Sequence, residues 1–402
     1  MIKIGIIKEG KTPPDHRVPL TPTQAKFVKE FFSEVNVVCQ SSNIRCFSDS
    51  QYADQGIEIV DQLNDCDVIL GVKEVQFNDL IDDKTYLFFS HTTKAQSYNR
   101  KLLQTVLEKR ITLVDYEMLT EVAGPRIIAF GRWAGIVGAY NALYTYGQRC
   151  NSFDLKRAFE CVNYKDLKTE YPKIKLPSIK IAITGDGRVS NGAVEVLTDA
   201  GIRKVSPIDY LEKNFKEPVF TQLSMGEYNY HFDGKDFDLN EFFQYPENFR
   251  SDFLKFTRVT DVLIAAAFWD PSAPVLFRVN DMMDDSFRIK VIADITCDIE
   301  GSIPSTKVPA TIENPVYDFN PAGNKVCPPY SDESNVSVMA VDNLPGELPR
   351  DSSEDFGNQM IKNVIPHLVG DDSLEIIKRA TITQKGKLSP GYSYLQSFVE
   401  GL

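Results

Sequence analysis

Lys180-Ile-Ala-Ile-Thr-Gly-Asp-Gly-Arg-Val-Ser-Asn-Gly-Ala193 decides the fold of this chain, because an apolar strand there runs into a glycine turn that opens a helix. Gly185 permits a tight turn and Gly187 lets backbone N–H groups approach a pyrophosphate without a Cβ in the way. Gly192 is expected to let the helix pack close to its strand. With Arg188 inside the turn, the motif reads as a dinucleotide cradle in which Gly185, Gly187 and Arg188 meet the cofactor. It lies near the middle of 402 residues, so the front half is left for substrate chemistry.

In that front half, apolar runs at residues 2–7, 35–38, 68–72, 86–89 and 111–114 are strand candidates, and residues 21–32 and 95–108 are helix candidates. Thr21 before Pro22 has the form of an N-cap followed by proline at the first helical position. Alternation of strand and helix means a parallel α/β layer. An apolar helix at 134–146 reads as a connector, and the polar stretch 150–178 as a linker with an insertion. The second α/β unit follows, with strands at 179–184, 262–267 and 289–295. The aromatic-rich insertion at about 211–258 reads either as a surface elaboration or as a part that shapes a cleft. Residues 335–348, 354–369 and onward to 402 look helical and return to the first domain.

The expected architecture is α/β, with two Rossmann-like doubly wound parallel-sheet domains separated by a cleft. A discontinuous substrate domain takes residues 1–135 and about 350–402, and the dinucleotide-binding domain takes 136–349. A net charge of -12 argues against nucleic acid and anionic membrane as partners, so any anionic substrate needs local cations. Seven scattered cysteines without a Cys-x-x-Cys spacing indicate a reduced protein, and no metal ligand set is expected. A strand pattern beginning at the second residue leaves no room for a leader, and no apolar run reaches the roughly 18 residues that span a bilayer. The expected location is the cytoplasm.

Only four histidines are present. His91 directly follows an apolar strand, at the carboxyl end where parallel sheets hold ligands, whereas His231 and His367 suit structural or solvated roles and His16 is weaker. Lys73 emerges from the strand end Val68-Ile-Leu-Gly-Val-Lys, where partial burial lowers an amine toward the range of a general base. Its alternative is a solvated lysine paired with Glu74. Arg17, in the loop after the first strand, offers a planar fork for a carboxylate, and Arg126 is a second candidate anchor. The acid that usually accepts a ribose 2′-hydroxyl is replaced by Ser206, with Arg188, Arg203 and Lys204 nearby. The expected cofactor is therefore NADP or NAD, leaning toward NADP.

Arg17 in Lys-Thr-Pro-Pro-Asp-His-Arg-Val-Pro-Leu-Thr-Pro, Lys73 in Leu-Gly-Val-Lys-Glu and His91 in Phe-Phe-Ser-His-Thr-Thr-Lys-Ala-Gln resemble the alanine dehydrogenase and saccharopine dehydrogenase superfamily. Arg126-Ile-Ile-Ala-Phe-Gly-Arg-Trp-Ala-Gly and Val341-Asp-Asn-Leu-Pro-Gly-Glu-Leu-Pro-Arg resemble its lysine-forming saccharopine dehydrogenases and the lysine-ketoglutarate reductase half of aminoadipic semialdehyde synthases. The resemblance implies reversible reductive condensation of lysine with 2-oxoglutarate to saccharopine, using a nicotinamide cofactor. It implies acid–base roles for Lys73 and His91, a tuning acid in Glu117, and substrate contacts at Arg17, Lys73, Gln96 and Phe130. Cofactor contacts are implied at Arg126, Gly187, Arg188, Phe268 and, at a helix start, Val336, Ser337 and Val338. The cysteine that fungal members carry after the Gly-Arg of the turn is Val189 here. An alanine dehydrogenase and a catalytically silent binding protein on the same fold are the rival readings; the Phe130-Gly-Arg-Trp-Ala-Gly segment argues against the first, intact Lys73, His91 and glycine turn against the second.

Overall fold

The computed structural model describes residues 1–122 and 124–401. Its contacts divide the chain into unit 1, Met1–Phe130 with Pro349–Leu402, and unit 2, Gly131–Leu348.

Unit 1 opens with β1 (Ile2–Ile6), β2 (Val35–Gln40), β3 (Glu58–Val60), β4 (Val68–Leu70), β5 (Thr85–Phe88) and β6 (Thr112–Asp115). These pair in parallel in the order β6-β5-β4-β1-β2-β3, so the direction of winding reverses between β1 and β4. The central strands are buried on both faces, which is why they read as continuous apolar runs. Thr21 caps the helix Pro22–Phe31 through a capping box with Gln24. The helix expected over 95–108 is shorter: Ala95 takes a left-handed φ of 50°, a 3-10 turn covers Ser97–Asn99, and the α-helix is Arg100–Glu108.

Unit 2 continues with β7 (Lys180–Thr184), β8 (Arg203–Lys204), β9 (Val219–Leu223), β10 (Asn229–His231), β11 (Phe249–Ser251), β12 (Val262–Ala265), β13 (Val291–Asp294), β14 (Val316–Asn320), β15 (Lys325–Cys327) and β16 (Val336–Met339). The eight-stranded sheet runs β15-β14-β16-β13-β12-β7-β9-β8, and β10 with β11 forms a separate hairpin. Here the winding reverses between β7 and β12. The returning chain adds the helix Pro349–Asn363, whose Phe356 and Met360 are buried, then β17 (Thr381–Gln384) and β18 (Lys387–Leu388), which extend the first sheet antiparallel from β6. The α/β class expected from the sequence is therefore the one observed, with two mostly parallel sheets.

Further expectations need correction. Residues 335–348 are not a helix: β-branched Val336 and Val338 take the buried strand β16 between β13 and β14. The tail likewise contains β17 and β18 rather than helix alone. The insertion at 211–258 is not all surface, since it supplies β9, an interior strand of the sheet, and a buried aromatic group including Phe242, Phe249, Phe253 and Phe256.

The helix after the glycine turn, Arg188–Asp199, packs on the helix Gly131–Cys150 so closely that glycines are required. A Cβ at Gly192 would lie 2.1 Å from the Arg132 carbonyl oxygen, and one at Gly135 would lie 1.8 Å from that of Val189. Gly192 thus serves helix-on-helix packing, not the helix-on-strand contact expected from the motif. Gly192→Ala should destabilise unit 2 by about 3 kcal/mol or more, because backbone cannot yield as a side chain does. Gly187→Ala, with nothing within 4 Å of the added Cβ, should leave stability nearly unchanged. Urea unfolding of the two variants checks the contrast.

Candidate active site

A cluster of charged side chains in unit 1 follows the carboxyl ends of β1, β4, β5 and β6. Beyond β1, the carboxylate of Glu9 is buried and accepts the Val72 N–H at 2.6 Å and the Lys73 N–H at 3.0 Å. It thereby fixes the turn that leaves β4 and carries Lys73. Burial, reinforced by the nearby Asp15 charge, pushes the Glu9 carboxyl from its ordinary 4.5 up to about 8. Lys73 moves the opposite way, down to about 8, first through burial and then through the Arg17 charge.

Arg17 is also buried. Its Nε donates to Asp15 Oδ1 at 2.9 Å, a terminal nitrogen donates to Oδ2 at 2.6 Å, and the guanidinium lies 4.3 Å from the centre of the Phe130 ring. Burial alone would raise the Asp15 carboxyl, but the Arg17 charge and hydrogen bonds outweigh it and hold it well below the carboxylate range. Phe130 stacks on Phe356 with centroids 4.5 Å apart and touches Phe89, so the fork of Arg17 rests on a packed aromatic floor.

His91 turns the chain out of β5 with a left-handed φ of 53°. Its Nδ1 lies 3.2 Å from Glu117 Oε2, and its Nε2 lies 3.8 Å from Glu74 Oε1. Asp115, the last residue of β6, accepts the Ser90 N–H at 3.2 Å and the Glu117 N–H at 2.8 Å, tying the ends of β5 and β6 together. Glu117 also meets Arg126 at 3.1 Å and Lys94 at 3.6 Å. Burial opposes its ionisation, yet the His91 hydrogen bond and the Arg126 charge outweigh that and draw the carboxyl down to about 2.

Lys73, His91 and Glu117 thus stand on neighbouring strand ends, and Arg126 joins them by pairing with Glu117. Gln96 is exposed on the loop after β5. Sequence reasoning missed Glu9, Asp15, Asp115 and the true partner of Glu74. Glu74 binds Lys11 at 2.9 Å instead of pairing with Lys73, and its other oxygen is buried without a hydrogen bond beside His91. The signal available was the charge density of Lys8-Glu-Gly-Lys and Lys73-Glu at strand ends.

In unit 2, Gly185 takes a φ of 92° at the end of β7 and its N–H donates to the Leu223 carbonyl at 2.7 Å. Gly187 is the N-cap of the helix Arg188–Asp199, and the space in front of it is open. These features fit a pyrophosphate, which a helix N-terminus with unobstructed N–H groups receives. Arg188 is exposed at the first helical position, and Phe268 is exposed beyond β12. Ser206 lies elsewhere: it caps the helix Pro207–Glu212 by accepting the Asp209 N–H, beyond the outermost strand β8. Val336, Ser337 and Val338 are buried in β16, with the Ser337 hydroxyl donating to Asp318, so they present no surface to a ligand.

Comparison with known proteins accords with this geometry. The alanine dehydrogenase/PNT N-terminal domain matches residues 5–137. L-alanine dehydrogenase aligns over 100% of this chain and 99% of its own with a TM-score of 0.63 at 16% identity, and the transhydrogenase from Sinorhizobium meliloti over 96% and 98% with 0.58 at 14%. The fold is that of these proteins. Among sequences, the alpha-aminoadipic semialdehyde synthase of Arabidopsis thaliana is 29% identical over 98% of this chain and 41% of its own length. The mitochondrial one of Mus musculus is 30% identical over 96% and 46%. The chain thus spans under half the length of these synthases. The NAD(+), L-lysine-forming saccharopine dehydrogenase of Emericella nidulans is 26% identical over 90% of this chain and 91% of its own. The resemblance read from Arg17, Lys73 and His91 is borne out by these relatives, which are dehydrogenases and synthases of matching name.

Glu9 gives a sign that can be tested. Its folded value of about 8 exceeds the ordinary 4.5, so between those limits the folded protein holds a proton that the unfolded chain releases. Its contribution to stability is present below about 4.5 and is lost as pH rises through 8. Glu9→Gln should therefore flatten the fall of unfolding free energy between pH 5 and 8, as measured by denaturant titration across that range. An unchanged slope would contradict the assignment.

Proposed function

We propose that this chain catalyses the reversible reductive condensation of L-lysine with 2-oxoglutarate to saccharopine, as a lysine-forming saccharopine dehydrogenase. The observation that carries the proposal is the convergence of Lys73, His91 and Glu117 at adjacent parallel strand ends, in a chain whose relatives bear that name. The glycine turn of unit 2 supports a nicotinamide dinucleotide, which when bound supplies or accepts the hydride.

The reaction requires protons to move at nitrogen and at oxygen. Lys73, with its amine drawn down to about 8, is available in neutral form near physiological pH and takes a proton from the incoming substrate ammonium. The freed amine attacks the ketone carbon, forming the C–N bond of a carbinolamine. His91, whose Nδ1 hydrogen-bonds the ionised Glu117, presents Nε2 for exchange of a proton with the oxygen. Protonation there breaks the C–O bond, and water leaves an imine carbon ready for reduction. Lys94, held near Glu117, and Lys11, held by Glu74, supply positive charge for a multiply carboxylated substrate inside an acidic protein.

Arg17, Gln96 and Phe130 are the proposed substrate contacts; Arg126, Gly185, Gly187, Arg188 and Phe268 the proposed cofactor contacts. A cytoplasmic location belongs to the same proposal and is supported by seven free cysteines; among the described residues no helix is long and apolar enough to cross a membrane.

Purified protein should oxidise reduced nicotinamide with lysine plus 2-oxoglutarate and not with pyruvate plus ammonia. Turnover with pyruvate alone would overturn the assignment. Lys73→Met and His91→Gln should each lower kcat by about 10²–10⁴-fold, the usual range for a positioned acid or base.

A further inference from the structure

We propose that Glu227, just beyond β9, receives the adenosine ribose of the dinucleotide and selects a free 2′-hydroxyl, making the protein specific for NAD over NADP. The proposal rests on the dinucleotide reading of the glycine turn given above.

In a doubly wound sheet, the strand beside the glycine-turn strand, on the side away from the winding reversal, ends at the ribose. The sequence suggests that this strand is the one following the turn helix, which puts Ser206 at the ribose. The sheet is built otherwise. Strand β9 pairs with β7 along its whole length, from Lys180 opposite Val219 to Thr184 opposite Leu223, and β8 is displaced to the outside. The Gly185 N–H donates to the carbonyl of Leu223, so the chain that leaves β9 starts beside the glycine turn. The first acid it offers is Glu227.

The Glu227 carboxylate is folded back toward the strand end. Its Oε2 accepts the Ser224 N–H at 2.8 Å and the Ser224 hydroxyl at 3.3 Å, leaving Oε1 for a further donor. A ribose 2′-hydroxyl is such a donor, whereas a 2′-phosphate brings negative charge against a carboxylate. The surroundings agree in sign. Asp186, in the turn itself, adds a second carboxylate, and the Tyr228 hydroxyl is pushed up by burial and then by both acids. Of the three cations that favoured a 2′-phosphate, Arg203 and Lys204 are held on the outer strand by their own partners, Glu217 at 3.0 Å and Gln222 at 2.8 Å, and Arg188 alone stands at the glycine turn, beside Asp186.

The test is binding, measured by calorimetry with NADH and NADPH in the absence of amino-acid substrate. Wild-type protein should bind NADH about tenfold or more tightly than NADPH, the size expected for one hydrogen bond to a charged group. Glu227→Gln should shrink that ratio toward one, and Glu227→Arg should invert it. The ratio is read on a single protein, so partial misfolding of a variant cancels. Tighter binding of NADPH by wild type, or an unchanged ratio in Glu227→Gln, overturns the role of Glu227 while leaving the dinucleotide reading intact. Failure of both dinucleotides to bind overturns the two together.

Discussion

A charge taken out of water has to be met by another charge or by hydrogen bonds, and the interior of unit 1 is organised by that requirement. Asp15 and Arg17 are both buried and bound to each other through two parallel hydrogen bonds. Exposed pairs such as Arg110 with Asp83 are screened by water and contribute little, whereas stripping one partner from a buried pair costs roughly 3–5 kcal/mol. The Asp15–Arg17 pair therefore cannot be opened cheaply. Burial keeps Glu9 from ionising and Lys73 from holding its proton, with the Asp15 charge adding to the first effect and the Arg17 charge to the second. Glu9 then acts through geometry, since its two backbone hydrogen bonds fix where Lys73 leaves β4.

The two sheets use one topological device for two kinds of chemistry. Where the direction of winding reverses, neighbouring strands end without a connection crossing between them, and their ends are left accessible. Around the β1–β4 reversal those ends carry side chains: Glu9, Lys73, His91 and Glu117. At the β7–β12 reversal they carry backbone, because Gly185 and Gly187 clear the space around the N–H groups. Proton transfer needs titratable side chains whose environment can be tuned, while a pyrophosphate needs donors that never titrate.

Much of this was legible in the sequence where the signal is local. Apolar runs bounded by polar residues located β1, β2, β4, β5, β6, β7, β12 and β13 to within a few residues, and the strand-end positions of Lys73 and His91 followed from them. What escaped depends on register between distant segments. Glu74 adjoins Lys73 in sequence, but consecutive residues at a strand end point apart, and its carboxylate meets Lys11, brought over from the end of the neighbouring strand β1. Val336 to Met339 alternates with polar neighbours too briefly to separate a strand from a helix start, and the choice is made by the open edges of β13 and β14.

The exchange of β8 and β9 is the instructive failure. Arg203-Lys-Val-Ser is polar and only two of its residues pair as strand, both of them exposed, so it can serve only at an edge. Val219-Phe-Thr-Gln-Leu has the apolar content an interior strand needs and is buried at four of its five positions. Burial, not order along the chain, decides which segment lies beside the glycine turn. The residue following the better-buried segment then inherits the functional position, whatever residue the linear motif would have chosen.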